Sequence, residues 1–210
     1  MISWYSIKEA TVSLAPIPFN GDSPTPFSKE DDDTLRKAVK LVYSASGENI
    51  GEDKLNRELA EIVNRAKPYK ILDDGNTVGV GVTSHFNHYD PKNKQQYEGQ
   101  SLSDLAIFPE YQNKGIGREA IKLFVEEMMK EKPKWLHIAH DNRNDRAAHL
   151  YTSIGFDHPV PWNDRSTSLH MSRSEAKKKL KEWEKERLQS KAASEHLERA
   201  IRRAILIAKK

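Results

Sequence analysis

The chain has 210 residues, of which 37% are hydrophobic and 31% are charged, and its formal net charge is +3. This length suits one domain with an extension and is short for two full domains. The absence of cysteine excludes a disulfide scaffold, thiolate catalysis and cysteine-ligated zinc or iron–sulfur centres. No apolar run approaches the ~20 residues that a membrane-spanning helix needs. The N-terminus does not resemble a secretory signal, so we expect a cytoplasmic protein that does not bind membranes.

The charge is distributed unevenly along the chain. Residues 173–210 contain 13 Lys and Arg against 6 Asp and Glu, a net charge of +7, whereas residues 1–172 have a net charge of −4. A change of this size indicates two physically different parts. We therefore predict a folded domain over residues 1–172 and a basic, highly charged extension over residues 173–210.

Hydrophobic periodicity and turn signals predict alternating strands and helices in the domain. The predicted strands cover residues 2–14, 70–73, 77–83, 101–108, 135–139 and 167–171, and the second and third of them form a hairpin. The predicted helices cover residues 28–46, 53–66, 116–130 and 145–153, with Ser28 as the N-cap of the first. Residues 86–99 are polar and are predicted to form a loop. This mixture indicates an α+β or α/β sheet domain.

The C-terminal extension is predicted to be one long helix. Residues 174–210 contain no Gly or Pro and are rich in Ala, Glu, Lys, Leu and Arg. Three interpretations stay open for this helix: a solvated helix that packs one end on the domain, a helix that forms a homodimer, and a contact with nucleic acid. The six interspersed acidic residues make nucleic-acid binding the weakest of the three.

The turn after the strand at residues 101–108 carries the strongest chemical signal. Residues 112–117 read Gln-Asn-Lys-Gly-Ile-Gly, and a helix begins at once. Two glycines let a ligand approach the backbone closely, and the free amides of a helix N-terminus attract anions. Lys114 and Arg118 add positive charge. These features predict a pyrophosphate site, although a Gly-x-Gly turn alone is also compatible with ordinary tight packing.

Two motifs together resemble the GNAT superfamily of N-acetyltransferases. Gln112, Gly115 and Gly117 match the Gln/Arg-x-x-Gly-x-Gly/Ala motif that binds acyl-CoA in that family. The segment from Asn144 to Tyr151, followed by Gly155-Phe156, resembles the Asn-x-x-Ala-x-x-Leu-Tyr…Gly-Phe segment. The resemblance implies a mostly antiparallel central sheet with two splayed strands, flanked by helices. It does not extend to the C-terminal helix.

The resemblance implies acetyl-CoA as the acetyl donor, an amine as the acceptor, and no metal. It assigns the pantetheine arm to strand backbone groups, the pyrophosphate to the turn, and the pantetheine or adenylate portion to the residue at the start of the next helix. The residues expected to bind acetyl-CoA are Ala106, Ile107, Phe108, Gln112, Asn113, Lys114, Gly115, Ile116, Gly117, Arg118 and Asn144. Tyr151 is expected to protonate the departing CoA thiolate.

The general base is not fixed by the sequence. Some family members use a carboxylate on a splayed strand, but residues 135–139 contain no Glu. His137 on the second splayed strand is the first candidate, because histidine titrates near neutral pH. His140, Asp104, Glu110 and ordered water are the alternatives. The segment His85–Asp90 could supply metal ligands, but its spacing defines no metal geometry.

The expected function is therefore direct transfer of an acetyl group from acetyl-CoA to a primary amine in a ternary complex. Two other functions stay open: a catalytically silent acyl-CoA-binding regulator of the same fold, and a nucleic-acid-associated protein that acts through its basic helix. The sequence does not identify the acceptor, because acceptor specificity depends on variable loops.

Overall fold

A computed structural model describes residues 12–19, 27–90 and 92–208. The chain divides into two compact units, Met1–Arg173 and Ser174–Lys210. In the described part of the chain, no helix is long and apolar enough to cross a membrane.

The described residues of the first unit form a seven-stranded sheet and four helices. The strands are β1 (Val12–Pro16), β2 (Ala66–Asp73), β3 (Asn76–Asp90), β4 (Gln95–Ile107), β5 (Trp135–Asp141), β6 (His158–Asn163) and β7 (Ser166–Ser172). The helices are α1 (Lys29–Ala45), α2 (Glu52–Arg65), α3 (Ile116–Met129) and α4 (Asp145–Ile154). A single 3-10 turn, Pro109–Tyr111, connects β4 to the loop before α3.

The sheet has the strand order β1-β2-β3-β4-β5-β7-β6, and β4 with β5 is its parallel pair. These two strands pair only from Gly99 with Trp135 to Leu102 with Ile138. Beyond that point the described strands separate, while β4 continues to pair with β3 and β5 with β7. The sheet therefore has an opening between the C-terminal halves of β4 and β5.

The helices lie on both faces of the sheet. Apolar side chains of α1 and α2 pack with Val80, Val82, Ala106 and Phe108 in one core. Gly81 lies between Val80 and Val82 in β3, so it faces the opposite side of the sheet. A Cβ placed on Gly81 would lie 2.3 Å from the ring of Phe124 in α3. Helix α3 therefore covers the face opposite to α1 and α2.

Local signals explain where two of the helices begin. The Ser28 hydroxyl accepts a hydrogen bond from the Asp31 amide at 3.1 Å, and acidic residues occupy the first turn of α1. The Asn144 side chain accepts from the Ala147 amide at 3.1 Å at the start of α4. Side-chain caps satisfy amides that have no partner inside the helix, and they contribute about 1 kcal/mol.

The described residues of the second unit, 174–208, lie in one long helix, α5 (Arg173–Ala208), which begins one residue before the unit does. Its mid-section is strongly polar, and Leu188 and Leu197 are exposed. The prediction of a long helix is confirmed.

The mixed-sheet prediction is confirmed, with two local corrections and one segment that is not described. Residues 86–99 are not a loop: they continue β3 and β4 into a long hairpin whose register joins Phe86 to Gly99 and Asp90 to Gln95. The sequence did not indicate β6, which carries Pro159 and Pro161 and pairs only with β7 among the described strands. Of the first predicted strand, residues 2–11 lie outside the described residues.

Candidate active site

A cleft of about 540 Å³ opens between the end of β4, the turn before α3, and α4. This volume is in the range of small-molecule sites. Of the residues that the sequence assigns to acetyl-CoA and catalysis, the cleft brings together Ile107, Gln112, Asn113, Gly115, Gly117, Arg118, Asn144 and Tyr151. Sequence reasoning missed Leu105, Arg146 and Leu150, which also line it.

The glycine turn has the geometry of an anion cradle. Gly115 is the N-cap of α3 with φ +80°, and no side chain caps this helix. A Cβ on Gly117 would be in ordinary contact, 3.7 Å from Ile107 and Leu150, so packing does not require a glycine at this position. The Arg118 amide donates to the Gly115 carbonyl at 3.0 Å, but no side chain caps the turn, so the Ile116 and Gly117 amides are available to an anionic group.

Two arginines add positive charge to the cleft. Arg146 donates to the Asn113 side-chain oxygen at 2.8 Å, and Arg118 donates to the Ser153 hydroxyl at 2.9 Å. Both guanidinium groups are held at the cleft lining, α3 and α4 each contributing one. This charge suits a pyrophosphate.

The exposed edge of β4 presents backbone groups at alternate residues. The Phe108 amide donates to the Val78 carbonyl at 2.9 Å. In an antiparallel ladder every second residue bonds to the neighbouring strand, so the Phe108 amide and the backbone groups of Ala106 are directed to β3 and those of the alternate residues are not. The backbone groups of Leu105 and Ile107 therefore face the opening. The Gln112 side chain already donates to the Ile107 carbonyl at 2.8 Å, which leaves the Ile107 amide and both Leu105 groups for a ligand.

The structure argues against the predicted pantetheine contacts of Ala106 and Phe108, and it places Lys114 outside the cleft lining. The Ala106 carbonyl points towards β3: its oxygen is so near Gly79 of that strand that a Cβ added there would lie 2.4 Å from it. The Phe108 amide and carbonyl bond to Val78 and Tyr111 within the protein. The Ile116 side chain is buried, which is compatible with the prediction because that prediction concerns its backbone amide. Lys114 does not line the cleft; its ammonium lies 5.2 Å from the Tyr111 ring centre.

A second cavity, which we call the acceptor cavity, lies on the α1/α2 face of the sheet. It has a volume of about 530 Å³. Its lining includes apolar side chains of α1 and α2, the carboxylates Glu48, Glu58, Asp104, Asp141 and Asp164, and Arg165. Tyr43 donates to Glu58 at 2.6 Å, and its pKa is raised by burial and by this carboxylate.

A narrow cavity of about 100 Å³ lies between β4 and β5, and it shares residues with both larger spaces. Asp104 lines it together with the acceptor cavity, and Tyr151 lines it together with the cleft. Burial raises the pKa of Asp104 to about 6, and the charge of Glu58 adds to this effect. Burial also raises the pKa of Tyr151 to about 12, with a contribution from Asp104. The opening in the sheet thus has a carboxyl group that titrates near neutral pH and a phenol that stays protonated.

The structure places His137 away from this pair. Its ring nitrogens lie 2.8 Å from the Ser101 hydroxyl and 3.1 Å from the Ser168 hydroxyl. The ring stacks on Phe86 at 4.7 Å, and burial lowers its pKa to about 3. A histidine that is buried and held at both nitrogens has no route to an acceptor, so these contacts argue against His137 as the base.

Of the other candidates for the base, His140 lies at the cavities and Glu110 does not. His140 lines the acceptor cavity and the narrow cavity, and its Nδ1 lies 3.0 Å from the Asp141 carbonyl. Glu110 is on the exterior, 3.2 Å from the Lys37 ammonium, and lines neither space. Among the described residues of the segment His85–Asp90, no three ligand atoms come within 4.8 Å of one another as a metal site would require.

Comparison with known proteins agrees with this geometry. A family model described as "Acetyltransferase (GNAT) family" matches residues 36–156. An acetyltransferase from Thermus thermophilus has a similar structure, with a TM-score of 0.54 and 18% identity over 77% of this chain and 97% of that one. A spermidine N-acetyltransferase from Vibrio cholerae, solved with CoA and spermine, aligns with a TM-score of 0.51 and 15% identity over 79% and 97%. No curated protein matches the chain.

A mixed sheet that opens between two parallel strands, with a glycine turn at the opening, defines the fold class of the acyl-CoA-dependent acetyltransferases. The family match covers more than half of the chain. The chain therefore belongs to the GNAT acetyltransferase family, and acetyl transfer is the activity that this membership assigns to it.

Proposed function

We propose that the protein transfers the acetyl group of acetyl-CoA directly to a primary amine, at the opening between β4 and β5. The observation that supports this proposal best is the narrow cavity shared by Asp104 and Tyr151, which lies between the cleft and the acceptor cavity. Two reactants that enter from opposite faces of the sheet would meet there. Such positioning accounts for a large part of the rate in bimolecular transfers.

The cleft residues would hold acetyl-CoA. The Gly115–Gly117 turn and the guanidinium groups of Arg118 and Arg146 would bind the pyrophosphate. The Leu105 backbone and the Ile107 amide would align the pantetheine arm along β4, as an added strand does. Asn144, which caps α4 and lines the cleft, would lie beside the same arm.

Asp104 would act as the general base. A carboxylate with a pKa of about 6 is ionised at neutral pH and accepts a proton more readily than an ordinary aspartate does. It would take one proton from the acceptor ammonium, because only the neutral amine is nucleophilic. The nitrogen then bonds to the acetyl carbon while the carbon–sulfur bond breaks.

Tyr151 would give its hydroxyl proton to the departing sulfur. The pKa of Tyr151, about 12, is well above that of a thiol, about 8.5. Tyr151 therefore gives its proton to sulfur at the same time as it takes the surplus proton from the acetylated nitrogen, so that the phenol stays protonated. The products are the acetylated amine and CoA thiol, and the proton held by Asp104 is released to solvent.

An amine-dependent thiol assay tests this proposal. Purified protein is incubated with acetyl-CoA and a panel of primary amines, and free CoA thiol and acetylated amine are both measured. We expect thiol release that depends on the amine, with an acetylated product for at least one acceptor. Binding of acetyl-CoA without turnover of any amine would support the silent regulator instead.

A further inference from the structure

We infer that the acceptor is a linear aliphatic diamine or polyamine, with one amine at Asp104 and a second ammonium at the mouth of the acceptor cavity. This inference rests on the proposed function and adds the substrate class. The argument depends on three features of the cavity: its charge, the different burial of its carboxylates, and the apolar part of its lining.

The charge of the cavity is negative after its internal ion pairs are considered. Asp141 is held by Arg143 at 2.8 Å, which lowers its pKa. Glu48 lies 3.3 Å from Lys54 and 3.9 Å from Arg165. Three lining carboxyl groups, Asp104, Glu58 and Asp164, remain beyond these pairs. A cleft lined by one sign of charge concentrates ligands of the opposite sign.

The carboxyl groups lie at two depths. Asp104 also lines the narrow cavity at the opening of the sheet, and its raised pKa results from burial next to Glu58. Asp164 is exposed, in the turn between β6 and β7, and the neighbouring Glu48 side chain is 41% exposed. The acceptor cavity therefore has an inner acidic site beside the reaction centre and an outer acidic site at its mouth.

Part of the cavity lining is apolar. Val39, Val42, Ile62 and Ala139 line the same cavity. A methylene chain can bury its surface there at about 25 cal/mol per Å², whereas a carboxylate or a hydroxylated ring would lose hydration without a partner. A chain of methylenes with a nitrogen at each end matches a cavity that has two acidic sites and an apolar part of its lining.

The second ammonium also has an electrostatic role. An acceptor with a carboxylate near its amine would place a negative charge beside Glu58, Asp164 and the ionised Asp104, which is unfavourable in a partly buried cavity. A simple monoamine avoids this repulsion but offers no second ammonium to Asp164 at the mouth of the cavity. A diamine places one nitrogen at Asp104 and the other at Asp164. The enzyme would therefore prefer a diamine to a monoamine because of the contact with Asp164, which lies outside the reaction centre.

Initial rates with three acceptors of equal chain length test the inference. The acceptors are butane-1,4-diamine, n-butylamine and 4-aminobutanoate, each with saturating acetyl-CoA, and an aminoglycoside serves as a branched polycation. We expect kcat/KM for the diamine to exceed that for butylamine at least tenfold, with 4-aminobutanoate the poorest. Asp164→Asn should reduce the ratio of diamine to butylamine severalfold, whereas the exposed Asp33→Asn, remote from the cavity lining, should leave that ratio unchanged.

Equal efficiency for butylamine and the diamine, or preference for the aminoglycoside or for 4-aminobutanoate, would overturn the inference while the proposed function would stand. Failure of every amine to release thiol would overturn both. A ratio that Asp164→Asn and Asp33→Asn change equally would also contradict the inference, because it would assign the effect to overall charge rather than to the mouth of the cavity.

Discussion

Asp104 and Tyr151 line the same narrow cavity between β4 and β5, although 47 positions separate them in the sequence. The ionised Asp104 helps to raise the pKa of Tyr151 to about 12, so the two groups interact electrostatically. One group belongs to a strand and the other to α4, and each also lines a larger space on its own face of the sheet. This relationship makes the pair the centre of the proposed reaction, and the first two predictions concern it.

Tyr151→Phe should lower kcat by about 10²-fold or more, because general acid catalysis contributes 10²–10⁴-fold. Acetyl-CoA binding should change little, since the ring that lines the cleft is retained. Steady-state kinetics and calorimetric titration with acetyl-CoA measure the two effects. Tyr89→Phe, at a tyrosine that is 52% exposed, is the matched control. Unchanged kcat in Tyr151→Phe would remove this residue from the mechanism.

Asp104→Asn should lower kcat/KM about 10²-fold or more at neutral pH and move the acidic limb of the pH profile from about pH 6 towards the pKa of the amine. The wild-type rate should fall tenfold per pH unit below about 6, because a protonated Asp104 cannot accept a proton. Activity of the variant should recover as the pH rises towards the pKa of the amine. Glu110→Gln is the matched control at an exposed carboxylate. An unaltered acidic limb in Asp104→Asn would assign the base to another group.

Gly117→Glu should weaken acetyl-CoA binding at least tenfold, because it places a carboxylate where the pyrophosphate is expected. A Cβ at this position meets only atoms at 3.7 Å, so the fold should tolerate the change. Acetyl-CoA at 100 times its Kd stabilises the wild type by about 2.7 kcal/mol, a rise in Tm of roughly 5–10 °C. Gly51→Glu, where a Cβ meets nothing within 4 Å, is the control. Equal shifts in both variants would place the donor elsewhere.

Buried histidines should make the domain less stable in acid. Burial lowers the pKa of His137 to about 3 and that of His170 to about 4, and His170 stacks on Tyr97 at 4.3 Å. Because both values are below the unfolded value of 6.5, the unfolded chain binds these protons first. The stabilisation is complete above pH 6.5 and is lost as the pH falls towards 3–4, at up to about 1.4 kcal/mol per pH unit for each group.

Urea unfolding between pH 4 and 8 measures this loss. His137→Gln should flatten the dependence of the unfolding free energy on pH, although it also lowers stability overall because His137 bonds to Ser101 and Ser168. His196→Gln, at an exposed histidine of α5, should not flatten it. A wild-type unfolding free energy that is constant from pH 7 to 4.5 would contradict the proposed charge states.

Local sequence signals were sufficient for most of the fold. Caps, glycine turns and periodicity predicted all four described helices of the domain, and the predicted ends of α2, α3 and α4 lie within one residue of the observed ends. The two-motif resemblance indicated the family. The hairpin arm at residues 86–99 was missed because its inward side chains are aromatic or histidine, such as Phe86 and Tyr97, rather than aliphatic. Strand β6 was missed because prolines suppress a strand prediction, yet an edge strand tolerates them.

The candidate site was less predictable than the fold. Of the glycine-turn residues that the sequence assigned to acetyl-CoA, Gln112, Asn113, Gly115, Gly117 and Arg118 line the cleft, and their binding of acetyl-CoA stays a prediction. The choice among His137, Asp104 and Glu110 as base depended on burial and on the separation of two strands, which only the three-dimensional structure defines. On β4 the sequence named Ala106, Ile107 and Phe108, whereas the backbone groups of Leu105 and Ile107 face the opening, because the ladder register decides which groups are free of β3.

The central claim is that an amine receives the acetyl group at the opening between β4 and β5. The most direct measurement is the stoichiometry of products in one reaction with labelled acetyl-CoA and butane-1,4-diamine, quantified by mass spectrometry alongside free thiol. The account predicts one acetylated amine for each CoA thiol released, and loss of both products together in Asp104→Asn. Thiol release that proceeds equally without amine, or acetylated product at undiminished rate in that variant, would contradict it.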